Sequence, residues 1–245
     1  MNAVPDLVTL HVWRVSRTAV PRALVRMALD PRRLRATPGV RFGKLLGTGT
    51  GTGFGPGDAD PTRWAALAVW DEPAAARHFD DTPVGRAWGR IARAGVRLDL
   101  RPVRSRGKWS RVRPFGDPPG GRTDGIVLAL TRARLRPLRA ARFWTAVRPV
   151  AGALHEAPGL LARFGIGEAP IGWQGTVSVW RTAPDLVRFA YRHPEHRAAI
   201  DRTPTERWYA EDLFARFAVR DVVGDRTVLG WAAGDGGRQM RSGQE

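Results

Sequence analysis

Short apolar runs in this chain alternate with longer segments that have helical periodicity. The runs LVTLHV at 7–12 and IVLALT at 126–131 predict the first strand of each half of the chain. A basic amphipathic helix is predicted after each run, at 21–35 and at 138–155. Each half therefore begins with a strand that is followed by a helix.

The remaining elements of the two halves also recur as matched pairs. Each half continues with a strand after a Pro-Gly turn, a strand that ends in Val-Trp, a second helix and a last strand. The pairs are the turns at 38–39 and 158–159, the Val-Trp ends at 69–70 and 179–180, the helices at 74–94 and 186–201, and the last strands at 97–103 and 214–222. The order βαββαβ therefore occurs twice in one chain.

A repeated βαββαβ unit predicts an α+β fold built from two ferredoxin-like repeats, each an antiparallel sheet with helices on one face. The free faces of the two sheets would pack sheet to sheet and leave a cavity between sheets and loops. We expect repeat 1 at 5–105, a linker rich in Gly, Pro and Arg at 106–124, repeat 2 at 125–224 and a C-terminal tail at 225–245.

The composition is that of a globular protein, with 43% hydrophobic and 26% charged residues. Because the chain has no cysteine, it has no disulfide, no thiolate zinc site, no iron–sulfur cluster and no cysteine nucleophile. No stretch approaches the roughly 20 apolar residues of a spanning helix, and no basic segment precedes a long apolar run at the N-terminus. We therefore expect a soluble, cytoplasmic protein.

The net charge of +17 comes almost entirely from arginine, since Lys44 and Lys108 are the only lysines. Arginines concentrate at 22–41 and 132–148, where they are typical of solvated helix faces. They would also suit an anionic membrane surface, an acidic protein or the carboxylates of a cofactor. We do not expect a nucleic-acid partner, because no recognition motif accompanies the charge.

The glycine run at 47–57 does not fit a nucleotide-binding loop. Every glycine in it occupies an odd position, so G-x-G-x-x-G cannot be written, and no G-K-[ST] follows. The run predicts a turn-rich flexible loop, or a lid that approaches a flat ligand closely. Serine hydrolase chemistry is also not expected, because none of the serines lies in a G-x-S-x-G motif.

Three of the five histidines have contexts that do not point to chemistry. His11 alternates within the first strand and is expected to be a core imidazole with its hydrogen bonds satisfied. His78, in the second helix of the first half, and His155, at the end of a basic helix, are expected to lie at the surface.

The other two histidines flank a predicted helix start at Pro194. His196 precedes the low-bulk segment 198–200, against which a planar ligand could lie, although a solvated histidine would also fit the position. An iron site from His193, His196 and Glu195 can be written, but successive residues do not all face one ion.

Several strings resemble the spheroidene monooxygenase family of carotenoid biosynthesis. They are PGVRFGKLLGTGTG at 38–51, FGIGEAP at 164–170, TVSVW at 176–180, PEHRAAI at 194–200 and WYAEDLFARF at 208–217. The resemblance runs in order from about residue 8 to about residue 222. Residues 170–175 and the segment after Gly224 depart from the family pattern.

This resemblance implies a tandem dimeric α+β barrel and a haem-dependent monooxygenase. Such an enzyme would bind haem b and insert oxygen from O₂ into a hydrophobic substrate, a carotenoid in this family. Haem proteins of related barrels take an axial histidine from the second helix of a repeat, which implies His196 as the iron ligand. The haem propionates would need cations, for which Lys44, Arg41 and Arg163 are the candidates.

Electrons would come from an external donor such as ferredoxin, since the sequence has no flavin or nicotinamide motif. A membrane that holds the carotenoid would be a further, peripheral contact. Two alternatives stay open, because a fold does not determine chemistry. One is other haem chemistry on the same barrel, such as an aldoxime dehydratase-like or haem-degrading activity, and the other is a non-catalytic protein that binds haem or an apolar ligand.

Overall fold

The computed structural model of this protein describes residues 3–51, 56–136, 157–168, 173–192 and 208–231. Their strands and helices follow the chain in an order that repeats once. In repeat 1 they are β1 (Leu7–Val15), α1 (Val20–Arg35), β2 (Val40–Gly49), β3 (Ala59–Trp70), α2 (Pro73–Ala76), α3 (Pro83–Gly89) and β4 (Ala92–Gly107). In repeat 2 they are β5 (Val127–Leu135), β6 (Leu160–Gly167), β7 (Trp173–Trp180), α4 (Ala183–Arg192) and β8 (Tyr209–Gly224).

The eight strands form one closed barrel in the order β1-β3-β2-β6-β7-β5-β8-β4. Within each repeat the order is that of a ferredoxin-like sheet, so the predicted α+β fold of two such repeats is confirmed. The repeats join at two antiparallel seams, with Arg97 opposite Val223 between β4 and β8 and Gly47 opposite Gly167 between β2 and β6. Closure leaves neither sheet with an unpaired edge strand.

Side chains alternate along each strand between the barrel interior and the outer face. In β1, Val8, Leu10 and Val12 belong to the interior cluster, whereas Trp13 packs in a separate cluster with the helices of repeat 1. The interior side chains of all eight strands contribute to one buried cluster. The cavity that we expected between the two sheets is therefore filled, as far as the described residues extend.

The two segments outside the repeats contribute to this core. Trp109 and Phe115, from the predicted linker, are fully buried in the barrel, and so are Leu229 and Trp231 after β8. Neither 106–124 nor the first residues of 225–245 is therefore a simple spacer or tail. In each repeat, the segment after the fourth strand therefore contributes side chains to the shared barrel interior.

The predicted helix at 74–94 is wrong. The segment forms α2, a 3-10 turn and α3, and β4 already begins at Ala92. Pro83 explains the break, because a proline lacks the N–H of a helix interior and disfavours helical backbone at the preceding residue. Thr82 is accordingly extended and caps α3 by accepting a hydrogen bond from the Gly85 N–H.

The other predicted elements agree with the structure where it describes them. The helix predicted at 21–35 is α1, and both last strands are longer than predicted. The helix predicted at 186–201 begins at Ala183 and is described to Arg192, and the helix predicted at 138–155 lies outside the described residues. Within the described ranges, no helix is long and apolar enough to cross a membrane.

The glycine run is partly sheet rather than loop. Gly47 and Gly49 lie in β2 and pair with Gly167 and Gly165 of β6, so they form the seam between the repeats. Gly51 follows with a positive φ of 80°, and a Cβ there would lie 3.1 Å from the backbone of Phe164. The lid prediction covers the whole run 47–57, of which 47–49 are strand and 52–55 lie outside the described residues.

Candidate functional site

Strand register aligns the two repeats residue by residue. Trp70 of β3 lies opposite Leu7 of β1, and Trp180 of β7 lies opposite Val127 of β5. With these tryptophans as the common reference, His11 corresponds to Thr131. The outer faces of the two sheets, which the helices cover, can therefore be compared position by position.

The outer face of repeat 1 is filled by large side chains. His11, Trp13 and Leu45 are 4%, 6% and 4% exposed. The Trp13 ring stacks on Trp88 of α3 with centroids 5.1 Å apart, and the His11 ring lies 4.1 Å from that of Phe79. The layer between this sheet and its helices is thus closed by the protein itself.

The outer face of repeat 2 carries small residues at the same positions. Thr131, Ala133 and Gly165 correspond to His11, Trp13 and Leu45. Thr131 is partly exposed in mid-strand, whereas His11 is buried. We call the outward residues Ala129, Thr131, Ala133, Gly165, Thr176 and Ser178 the small-residue face.

An apolar cluster borders the small-residue face at one end. Val127 and Trp180 pack there against Leu186 and Phe189 of α4. The Trp180 indole N–H donates a hydrogen bond to Ser178 Oγ at 2.9 Å, which fixes the ring against the sheet. The face is therefore apolar and rigid on this side.

Arg163 places a cation on the same outer face. It corresponds to Gly43 of repeat 1, where a Cβ would lie 2.8 Å from the Leu34 side chain of α1. The Arg163 guanidinium is half-buried and donates a hydrogen bond to the Gly51 carbonyl oxygen at 2.6 Å. Burial lowers the pKa of Arg163, and the nearby Asp58 carboxylate opposes this shift.

The other two predicted cations lie elsewhere. Arg41 is exposed, with its Nε 3.9 Å from an Asp71 carboxylate oxygen. Lys44 points into the barrel, where its ammonium donates to Glu168 Oε2 at 2.5 Å and to Ser110 Oγ at 2.7 Å. The three cations predicted to hold one cofactor therefore have three different environments, and Arg163 alone of the three lies on the small-residue side.

Lys44 belongs to a buried ion cluster that the sequence analysis missed. Arg132, 2% exposed, donates to Glu168 at 2.9 Å and also pairs with Glu211, and the Trp109 indole N–H donates to Glu168 at 2.7 Å. The cluster joins both repeats and the linker at one end of the barrel. One sequence signal could have revealed the cluster. Arg132 lies two residues after the apolar Leu130 in a predicted strand, so strand alternation places its charge on the inward face.

The Glu211 carboxylate also fixes the linker backbone. It accepts hydrogen bonds from the backbone N–H groups of Ser110 and Arg111, which both have positive φ. Burial raises the pKa of Glu211, but these hydrogen bonds and Arg132 outweigh burial, so the net shift is downward. Glu211 is thus held as an anion inside the fold, where it fixes the linker backbone and pairs with Arg132.

His11 is a core residue, as predicted, but its hydrogen bonds are not all satisfied. Its Nε2 is buried and has no hydrogen-bond partner among the described residues. Burial, and secondarily the charge of Arg97, lowers the pKa of His11 to about 3. The imidazole is therefore neutral at physiological pH.

The predicted iron ligand cannot be placed in this geometry. His196 and His193 lie outside the described residues, and so does His155. Among the residues that the structure does describe, no group of three or more His, Asp or Glu side chains could hold a metal ion. His78 is exposed, as expected, with 80% of its side chain accessible.

Curated relatives cover most of this chain. It is 34% identical over 223 residues to a spheroidene monooxygenase of Rhodobacter capsulatus, with 88% of this chain and 91% of the relative covered. It is 30% identical to a spheroidene monooxygenase of Cereibacter sphaeroides, with 89% and 68% covered. For that of Rubrivivax gelatinosus the identity is 33%, with 76% and 72% covered. No family model matches the sequence.

Solved structures share the fold at low sequence identity. An aldoxime dehydratase in complex with butyraldoxime superposes with a TM-score of 0.60 at 12% identity, covering 90% of this chain and 81% of that one. A second aldoxime dehydratase structure gives a TM-score of 0.57 at 12% identity, with 89% and 83% covered. At this identity the likeness concerns the fold alone.

Proposed function

Because this chain belongs to the spheroidene monooxygenase family, we propose that it is a haem-dependent monooxygenase that inserts oxygen from O₂ into a carotenoid. The haem would bind on the outer face of repeat 2. The proposal rests on one observation above all, which is the replacement of His11, Trp13 and Leu45 by Thr131, Ala133 and Gly165.

The residues of the small-residue face fit a flat apolar group. Smaller groups in place of an imidazole, an indole and an isobutyl group would make room over this sheet face for a large planar ligand. The apolar cluster around Trp180 and Phe189 would exclude water from one side. Repeat 1 offers no such room, because its own side chains fill the equivalent layer.

Two residues would hold the haem in this proposal. Arg163 would pair with a propionate, since it is an outward residue of β6 next to the small-residue face and a half-buried cation is stabilised by a carboxylate. His196 would bind the iron, as the family resemblance implies. Lys44 has no such role in the proposal, because Glu168 and Ser110 already hold its ammonium.

Bound haem would supply activation of O₂, so that one oxygen atom enters the substrate and the other leaves as water, with two electrons from an external donor such as ferredoxin and two protons from solvent. The chain's own contribution would be to bind and orient. The small-residue face would fix the plane of the cofactor, and Arg163 would fix its rotation within that plane. The carotenoid would reach the site through apolar contacts.

The first test is the absorption spectrum of the protein after reconstitution with haem. We expect a Soret band at a haem-to-protein ratio near one, and a shift when the reduced protein binds CO, since O₂ chemistry needs an open position on the iron. His196→Ala should lose the band, and His193→Ala serves as the matched control. A chain that folds but shows no Soret band would contradict the haem proposal.

A blocking variant tests the location separately. Thr131→Trp restores a large ring at the position that His11 fills in repeat 1, so it should abolish the Soret band while the far-ultraviolet circular dichroism is unchanged. Thr131→Ser should bind haem like the parent protein. Unchanged haem binding by Thr131→Trp would place the cofactor elsewhere.

The activity itself needs a product measurement. With a reducing system and a carotenoid, we expect oxygen consumption and a product that carries an oxygen atom from ¹⁸O₂. Haem binding without label in the product would leave other haem chemistry, or a non-catalytic binder, as the function.

A further inference from the structure

The outward face of α1 exposes aliphatic side chains. Leu24, Val25 and Leu29 are 56%, 50% and 47% exposed, and they are three of the seven large hydrophobic residues exposed among the described parts of the chain. At 100° per residue, Val25 and Leu29 lie opposite the buried Ala23 and Leu34, with Leu24 on one flank. This apolar stripe therefore points away from the protein.

Arginines surround the apolar stripe. By the same helical spacing, Arg22 and Arg33 lie on one flank, Arg35 lies on the other and Arg32 continues the stripe at its C-terminal end. The single acidic residue of α1, Asp30, is fully buried and is paired with Arg33 at 3.1 Å. The exposed surface of α1 thus combines aliphatic residues with positive charge and presents no carboxylate.

We propose that this face of α1 docks onto an anionic lipid bilayer. Helices that lie in a membrane interface carry an apolar face that enters the boundary between headgroups and acyl chains, with Lys or Arg on the polar side. With the α1 stripe immersed, the guanidinium groups on both flanks would reach the headgroup phosphates. The inference goes beyond the proposed oxygenase activity and does not depend on it.

The arrangement of charges favours a bilayer over an acidic protein. A protein partner would be recognised by a localised match to particular cations, whereas Arg22, Arg32 and Arg35 are spread along about 20 Å of the exposed side of α1. The guanidinium groups of Arg22, Arg32 and Arg35 make no ion pair with a described residue. They are thus available to a planar array of phosphates.

The test is flotation of the purified full-length protein with vesicles. We expect binding to phosphatidylcholine vesicles that contain 30% phosphatidylglycerol, and much weaker binding to pure phosphatidylcholine. Because each arginine at an anionic surface contributes of the order of 1 kcal/mol, the triple variant Arg22→Gln/Arg32→Gln/Arg35→Gln should bind roughly a hundredfold more weakly.

A matched control separates this patch from net charge. Arg93, Arg101 and Arg220 are exposed on strands of the barrel, and their change to Gln removes the same charge. This control variant should retain most of the binding. Leu24→Ser/Val25→Ser/Leu29→Ser should lose binding even at low salt, whereas Val223→Ser, which changes an equally exposed valine on β8, should not.

Three outcomes would overturn the proposal. The first is no binding of the folded parent protein to anionic vesicles. The second is equal loss of binding in the patch and control arginine variants. The third is binding that the serine triple variant leaves intact, which would indicate an electrostatic partner such as an acidic protein rather than an interfacial helix. Circular dichroism of each variant establishes that it is folded.

Discussion

The two repeats have the same topology but use their outer sheet faces in opposite ways. Repeat 1 fills its face with His11, Trp13 and Leu45 beneath helices, so its sheet and helices form a closed hydrophobic layer. Repeat 2 replaces these with Thr131, Ala133 and Gly165 and places a half-buried Arg163 where repeat 1 has Gly43.

Under the proposed function, this difference means that repeat 1 stabilises the fold and repeat 2 binds the cofactor. One copy of a duplicated unit can keep large core side chains and stabilise the barrel, while the other has smaller side chains and so can bind a ligand. Because both copies share one barrel interior, repeat 1 would stabilise a repeat 2 that gives up packing for the proposed cofactor. Three pairs of substitutions test this comparison, from the largest expected effect to the smallest.

Trp88→Ala should destabilise the protein most. Trp88 is fully buried and stacks on Trp13, so its removal leaves a cavity in the closed layer of repeat 1 and should cost about 3–5 kcal/mol. Thr131→Ala in repeat 2 shortens a side chain that is already small and partly exposed, so it should change the free energy of unfolding by less than about 1 kcal/mol. Urea unfolding followed by tryptophan fluorescence measures both, and comparable losses would mean that repeat 2 is packed as tightly as repeat 1.

The same large side chain placed at equivalent positions should have unequal effects. His11→Trp forces an indole into a filled layer next to Phe79 and should destabilise the protein by about 1–3 kcal/mol. Thr131→Trp enters a face of small residues and should cost less than His11→Trp. Thermal unfolding of the two haem-free variants decides between them, and equal shifts in Tm would remove the distinction.

His11 should also make stability depend on pH. Its folded pKa of about 3 lies below the value of 6.5 for the unfolded chain, so between these values the unfolded state binds a proton that the folded state does not. Stability is therefore lost as the pH falls through 6.5, by about 1 kcal/mol between pH 7 and pH 5.5. His11→Gln should flatten this part of the pH profile of urea unfolding. Thr131→His, which has the same ring on a more open face, should show a smaller pH dependence than His11.

The repeat, the fold class and most strands could be predicted from the sequence, because apolar alternation and the paired Pro-Gly and Val-Trp landmarks are local signals. The break at Pro83 was missed because the apolar pattern continues across it, although the proline itself is visible. The inward position of Lys44 could not be predicted, because it depends on strand register and on an ion pair with Glu168. This pair joins the two repeats, and no local sequence pattern indicates it.

The equivalence of His11 and Thr131 could likewise be recognised only from strand register. Both residues lie in apolar strands, and only the register against β3 and β7 makes them equivalent. The position of Arg163 likewise follows from its pairing with Ser178 across β6 and β7. The family resemblance named Arg163 as a candidate and strand alternation predicted His11 in the core, but neither assigned a residue to the inner or outer face, and Thr131 was not predicted as a site residue at all.

The position of β8 in the barrel determines when the molecule can become complete during synthesis. β8 pairs with β4 and with β5, and its residues 209–224 are synthesised after the other seven strands of the barrel. Until then the inner faces of both sheets have no closing strand, and neither Trp109 nor Trp231 has a finished interior to enter. With translation at about 5–20 residues per second, the apolar strands of repeat 1 wait for several seconds or longer before the barrel can close. A chain that stopped before residue 209 would lack β8 and leave β4 and β5 each with an unpaired edge, which favours aggregation.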